Sequence, residues 1–301
     1  MTLESGLAGK GAALGAAFLW AITVTVFTFA ARRIGAQVVN AVRLVLAAAL
    51  LLLFHWIFMG SPWPTGLSSA GTAWLLLSGL VGFAVADGLG LESFVEIGPH
   101  LGMLIQTMAP ILSATLAWAV LGQNLSWAKG GAIFVTLAGI ALVVAGPDEH
   151  ASRRSRSRAW GLLLALGATL GQSLGQFTAL KGMAAGTGPF SGLVIRVAAG
   201  AVGSVVYLAL RGKLRLAGAW GDGHTLAQIL IGTALGPIIG GFLAMYAIAH
   251  APLGPASTLL SVVPIFLLPL SWAFFHERIT VRAVTGTLLT VSGAAGLFLV
   301  K

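Results

Sequence analysis

The chain has no cysteine, which excludes disulfides, thiol catalysis and cysteine-ligated metals. It is also short of charge. Only 8% of its 301 residues are charged, against about 25% in a soluble domain, too few to give a globular enzyme a water-facing surface. Among its six histidines there is no pair at i, i+4 and no H-E-x-x-H, and the chain has no glycine-rich phosphate loop. No metal, no cofactor and no built-in ATP engine is therefore expected. The formal charge of +9 does not indicate nucleic acid, because the basic residues stand singly or in short loops between apolar runs. In such places they set orientation in a membrane.

What the chain does have is apolar length. Hydrophobic residues make up 57% of it, and 41 glycines suit close helix approach in lipid. A helix crosses the hydrocarbon layer with about 20 apolar residues. Ten such runs are predicted, at 11–31, 38–59, 72–91, 101–121, 127–145, 160–181, 190–210, 226–248, 256–275 and 281–299. The first is longer than a signal-peptide core and is followed directly by Arg32 and Arg33, so it reads as a membrane helix.

The two halves repeat. Pro110, Trp118, Gln123, Ser126 and Gly139 recur 154 residues later as Pro264, Trp272, Glu277, Thr280 and Gly293. Arg43, just inside the second run, has a counterpart in Arg196, just inside the seventh. The organisation expected is a five-helix repeat at 1–146, a basic linker at 147–159 and a second five-helix repeat at 160–301. Five is odd, so the second copy enters from the opposite side. The fold class expected is all-α, with ten transmembrane helices arranged as two inverted five-helix repeats, a plan common among transporters. Loops after odd-numbered runs carry eleven Lys and Arg, and the other ends carry four. That imbalance puts the odd loops in the cytoplasm and both termini outside.

The stretches APILSATLAWAVLGQNLS (109–126) and VPIFLLPLSWAFFHERIT (263–280), together with Arg43 and Arg196, make the chain resemble the drug/metabolite transporter superfamily, in particular its EamA-type ten-helix members. The resemblance covers almost the whole chain. Gln123 stands where family members usually carry Glu, and His276 where they usually carry Gly. It implies a multi-pass protein of a bacterial inner membrane that moves amino acids, nucleobases, sugar-linked compounds or drugs, often outward. It does not choose among them.

Six residues are candidates for lining a cargo cavity: Trp20, Asp87, Gln106, Gln172, Gln176 and Tyr246. Asp87 is the deepest acid, and a carboxylate in hydrocarbon must face protein or a wet cavity. It either pairs with Arg43 or contacts a proton or cargo. Arg43 fits a structural role, whereas Arg196 fits either ligation of helix-end carbonyls or a cargo carboxylate. Gln172 and Gln176 share a face beside the stripe Gly167, Gly171 and Gly175, and either line a cavity or bond between helices. Gln106 precedes Pro110. Gly232, Gly236 and Gly240 repeat the glycine stripe, with Pro237 and Gly241 expected to distort the helix. Trp20 suits either a stacking wall or packing. Pro110, Pro237 and Pro264 are expected to mark bends, Glu277 to tie a short turn, and Ser126 and Thr280 to cap helices. The G-x-S-x-G match at 171–175 lies mid-helix and carries no catalytic meaning there.

The function expected is secondary transport by alternating access, with neutral or zwitterionic cargo favoured, protons as a coupling ion, lipid as surroundings, and a monomer or homodimer as the working unit. A membrane-embedded enzyme acting on a lipid-linked or peptide substrate is the alternative. It would need a His, Ser or carboxylate set converging at one depth.

Overall fold

Backbone in hydrocarbon finds no water, so long apolar runs satisfy their own N–H and C=O groups as helices. The computed structural model describes residues 3–109, 111–112, 115, 126–146, 158–184, 186–213, 223–250 and 258–299, and every regular element among them is helical. In chain order these are α1 (Leu3–Ile34), α2 (Ala36–Met59), α3 (Ser69–Ser78), a π-helical stretch (Gly79–Ala86), α4 (Asp87–Ile97), α5 (Pro99–Gln106), α6 (Trp127–Val144), α7 (Arg158–Ala184), α8 (Pro189–Leu210), α9 (Gly223–Thr233), a second π stretch (Ala234–Gly240), α10 (Gly241–His250), α11 (Val263–Phe275) and α12 (Val281–Leu299).

Among the described residues, seven stretches are long and apolar enough to cross a membrane: Leu7–Ile34, Ala36–Met59, Ser69–Ile97, Trp127–Val144, Pro189–Leu210, Gly223–Ala244 and Thr258–Phe275. Val281–Leu297 is a shorter apolar helix. Helix α7 is 27 residues long but less apolar, because Gln172, Gln176 and Lys181 interrupt it. Much of the second half of the predicted fourth run lies outside the described residues, and length and apolarity among the described residues account for seven of the ten expected spans.

The helix ends follow the sequence. Ser126 Oγ accepts from Lys129 N at 3.4 Å, and Thr280 Oγ1 accepts from Ala283 N at 3.1 Å, so both expected caps are in place. At the far end of α6, Arg158 donates to the carbonyls of Gly146 and Val144, and Arg282 donates to that of Ala145. Two guanidiniums thus meet the negative end of that helix.

Contacts between the halves run antiparallel. In the α2–α8 pair, Asn40 meets Ser204 at one end, and at the other His55 Nε2 lies 3.1 Å from Ser191 Oγ. Leu44, Ala47, Leu51, Val194, Val197 and Ala201 fill the space between. In the α6–α12 pair, a Cβ on Gly139 would lie 2.5 Å from Thr290 N, and a Cβ on Gly293 would lie 2.5 Å from Thr136 N. The two contacts are the same contact, 154 residues apart. Each glycine stripe packs on the other half or on the π stretch that its partner span carries. Gly171 and Gly175 of α7 meet Ala86 and Gly82, while Gly232, Gly236 and Gly240 meet Phe27, Thr23 and Trp20 of α1.

The discontinuities also come in pairs. Asp87 N donates to Gly82 O, and Gly241 N donates to Gly236 O, each a bond five residues back at the end of a π stretch. Gly82 and Gly236, and likewise Asp87 and Gly241, are 154 residues apart. In the second copy Pro237 has no N–H to give, which removes one α-helical bond. After α5 the helix breaks at Thr107 and Met108, and before α11 it breaks at Ser261 and Val262, again at the same offset. The hydroxyl of Thr107 donates to Leu104 O at 2.6 Å and that of Ser261 donates to Thr258 O at 2.7 Å, so each break is held by the same bond. Pro264 consequently sits in the first turn of a new helix rather than bending the interior of a continuous one, because the chain has already turned before reaching it. Pro110 lies outside the described residues.

Candidate functional site

The site grows from an interrupted stretch of helix, the π turns at 79–86. A π-helical turn leaves carbonyls without their usual donors. Asn40, fully buried on α2, supplies donors: its Nδ2 reaches Phe83 O at 3.0 Å, Ala84 O at 3.2 Å and Ser204 Oγ at 3.2 Å. One amide therefore ties α2, the first π stretch and α8 together. Its Oδ1 accepts from Arg43, at 3.1 Å from Nε and 2.7 Å from a terminal nitrogen.

So oriented, Arg43 forms an ion pair with Asp87, whose other oxygen accepts from the Gln172 amide. The Arg43 guanidinium also lies 5.5 Å over the ring of Phe27. Asp87 is the first residue after the π stretch, which is what turns its side chain to meet α2 and α7 at one depth. The sequence left pairing and cargo contact open for this acid. The structure places it in the pair.

Gln106 ends α5 at the helix break and abuts Gly90, one turn beyond Asp87; a Cβ there would lie 3.0 Å from Gln106 Nε2. That nitrogen is buried and has no partner among the described residues. Helix α7 approaches at the same level, since Ser173 Oγ donates to Ala109 O at 3.0 Å. Gln176 is exposed, although Ala165 and Thr169, fully buried, lie within about 40° of it round the helix. The exposed Leu166, Leu170 and Leu174 are centred about 120° away. Leu180, 64% exposed, lies about 40° from Gln176 on that same side, so Gln176 stands at the boundary between the buried and the exposed faces of α7.

Trp20 stands apart, at the second π stretch, where its Nε1 donates to Gly236 O at 3.3 Å. It gives a second donor to a carbonyl that Gly241 N already serves. Tyr246 is not brought to this cluster. It stacks on His250 at 4.0 Å near the end of α10.

Of the two roles expected for Arg196, ligation of helix-end carbonyls is not seen among the described residues, where its Nε is buried without a hydrogen-bond partner. Its guanidinium lies 4.9 Å over Phe83, and a Cβ on Gly82 would come 4.0 Å from one of its terminal nitrogens. Phe83 is the middle residue of the stretch Ser69–Ile97, so this side chain turns inward instead of reaching for the interface.

Of the remaining motif residues, Trp272 is 59% exposed on the outer face, suited to an interfacial anchor. Glu277 borders a hollow with His100, Arg158, Arg278 and Arg282. Trp118 and Gln123 lie outside the described residues. A larger hollow of about 700 Å³ runs from Arg211 and Lys213 past Glu92, Glu96 and Gln37 to Ala84 and Val85. It borders the π stretch, and none of the six predicted cavity residues lines it. Asn40 and Glu92 were absent from the sequence reading. An asparagine three residues before an intramembrane arginine was a visible signal. The Gln37–Glu92 bond, at 3.2 Å, was not.

Several known proteins resemble this chain. No curated protein matches the sequence. A solved structure titled "Crystal structure of protein" has the same fold, with TM-score 0.64 and 15% identity, over 98% of this chain and 96% of that one. The model of the EamA-like transporter family matches twice, at residues 7–145 and 159–299. With nearly all of its length matched as two copies of that unit, and with apolar helices enough for many crossings, the chain is a multi-pass membrane protein belonging to the EamA-like transporter family.

Proposed function

We propose that this protein is a secondary transporter of small organic metabolites that works by alternating access, its two five-helix repeats lying inverted in the membrane as ten spans. The observation that carries this reading is the pairing of discontinuities. A π stretch at 79–86 recurs at 234–240, and a helix break at 107–108 recurs at 261–262. Carriers built on inverted repeats place their cargo near the bilayer centre, beside interrupted helices. Here Asp87, Gln172, Gln106 and Gln176 stand beside such interruptions, and the glycine contacts between α7 and the first π stretch let the elements slide without displacing side chains.

The coupling step assigned to Asp87 is protonation. A proton on its carboxyl removes the charge that holds Arg43 and loosens the tie joining α2, α4 and α7. Cargo is neutral or zwitterionic, and movement is outward from the cytoplasm, the side of the basic loops. The working membrane is the bacterial inner membrane. Counterflow into liposomes containing the purified chain, with matched pools of amino acids, nucleosides and sugars, tests the reading. Exchange above that of empty liposomes for at least one pool is expected. Folded protein that exchanges none of them counts against it.

A further inference from the structure

Charge does not balance around the first π stretch. Arg43 and Arg196 bring two positive groups to it, and Asp87 brings one negative group. Both oxygens of Asp87 are already taken, one by Arg43 and one by Gln172. Arg196 lies within electrostatic reach of that carboxylate without bonding to it.

The orphaned atoms point the same way. Among the described residues two buried side-chain nitrogens have no hydrogen-bond partner, Arg196 Nε and Gln106 Nε2. Both are donors, and their side chains flank Asp87: a terminal nitrogen of Arg196 lies near Gly82, and Gln106 Nε2 lies against Gly90. Buried donors left without acceptors carry a standing penalty that an acceptor-rich ligand removes. A Cβ on Gly82 would lie 4.0 Å from one terminal nitrogen of Arg196, so the glycine leaves space beside it. The guanidinium carbon lies 4.9 Å over the Phe83 ring. A planar fork of N–H groups held in place matches a carboxylate in shape and charge.

We propose that Arg196 binds the carboxylate of the cargo, with Gln106 as a second donor. The proposal rests on the transport reading above and deepens it: the cargo is a carboxylate-bearing organic solute, zwitterionic where it also has an amine. Arg196 and Asp87 then divide the work. Asp87 answers to protons through Arg43, and Arg196 answers to cargo.

The test uses the full chain in liposomes with two matched pools, the L-amino acids and their carboxamides, which differ at the carboxylate alone. The wild type exchanges the acids in preference to the amides. Arg196→Gln reduces that preference roughly ten- to hundredfold, as expected for loss of a charge-assisted contact, and Arg196→Lys retains part of it because the charge stays while the fork is lost. The acid-to-amide ratio does not depend on how much folded protein is present, so a purely structural role leaves it unchanged. An unaltered ratio in Arg196→Gln overturns the proposal, as does a wild type that prefers the amides. Each measurement is repeated with gluconate in place of chloride. Loss of a chloride dependence in Arg196→Gln with the ratio intact assigns the residue to an inorganic anion and also overturns it. Absence of exchange with either pool in the folded wild type defeats the transport reading itself, an outcome distinct from these.

Discussion

Asn40 and Ser204 lie 164 positions apart in the chain and 3.2 Å apart in space, where the amide of one donates to the hydroxyl of the other. Fifteen residues further along α2, His55 meets Ser191, thirteen residues earlier on α8. The two helices therefore run in opposite directions.

The absence of native cysteine makes this orientation directly measurable. Cysteine pairs at 55 and 191, and at 40 and 204, should be joined by a short bis-maleimide reagent in membranes. The crossed pairs, 55 with 204 and 40 with 191, should not. Efficient joining of the crossed pairs would show the two helices to be parallel.

The Arg43–Asp87 pair is well shielded, with the side chains 13% and 17% exposed. Removing one member strands the other in a poorly solvated place, which costs about 3 kcal/mol. Asp87→Asn should lower the unfolding free energy by that amount, and Arg43→Gln added to it should recover part of the loss. In liposomes, Asp87→Asn should abolish flux driven by a pH gradient and spare exchange. Undiminished pH-driven flux would remove Asp87 from the coupling step.

His276 is the single non-glycine residue with positive φ among the described residues, at 58°, and it ends α11 in the left-handed region. A side chain there costs about 1 kcal/mol that glycine does not incur. His276→Gly should raise stability by about that much in thermal unfolding, and His276→Val should lower it. A stabilised valine variant would contradict the backbone account.

Gln172 and Gln176 separate by what they touch. Gln172 is committed to Asp87, whereas Gln176 is exposed at the edge of the buried face of α7. Gln176→Ala should raise the half-saturation concentration for cargo with the unfolding free energy unchanged. Gln172→Ala should lower that free energy by about 2 kcal/mol, since a hydrogen bond to a charged group is lost. Identical profiles for the two variants would mean that neither amide has the role given to it.

Much of the architecture was legible in the sequence, for local reasons. Apolar length sets a helix in lipid, and Ser126 and Thr280 announce caps by type and position. A fixed offset of 154 finds the repeat wherever both copies keep the same residue, as at Gly139 and Gly293. The offset was less informative where the copies differ. Asp87 matches Gly241, so the acid exists in one half alone, and the π stretch before it carries no proline to advertise it. Arg196 stayed open between helix-end carbonyls and a cargo carboxylate, because nothing local says that it turns over Phe83 beside Gly82.

The sequence by itself determined that this chain lives in a membrane, that it is built twice, and which polar residues must find partners there, because the transfer energy of each residue and the spacing of a repeat are properties of the chain. The tertiary structure alone decided which partners they found. Asn40 holding the carbonyls of Phe83 and Ala84, Asp87 shared by Arg43 and Gln172, and Arg196 left with unpaired donors over Phe83 all depend on contacts between helices distant in sequence. In hydrocarbon any acceptor within reach satisfies a donor, so geometry and not residue type makes the choice.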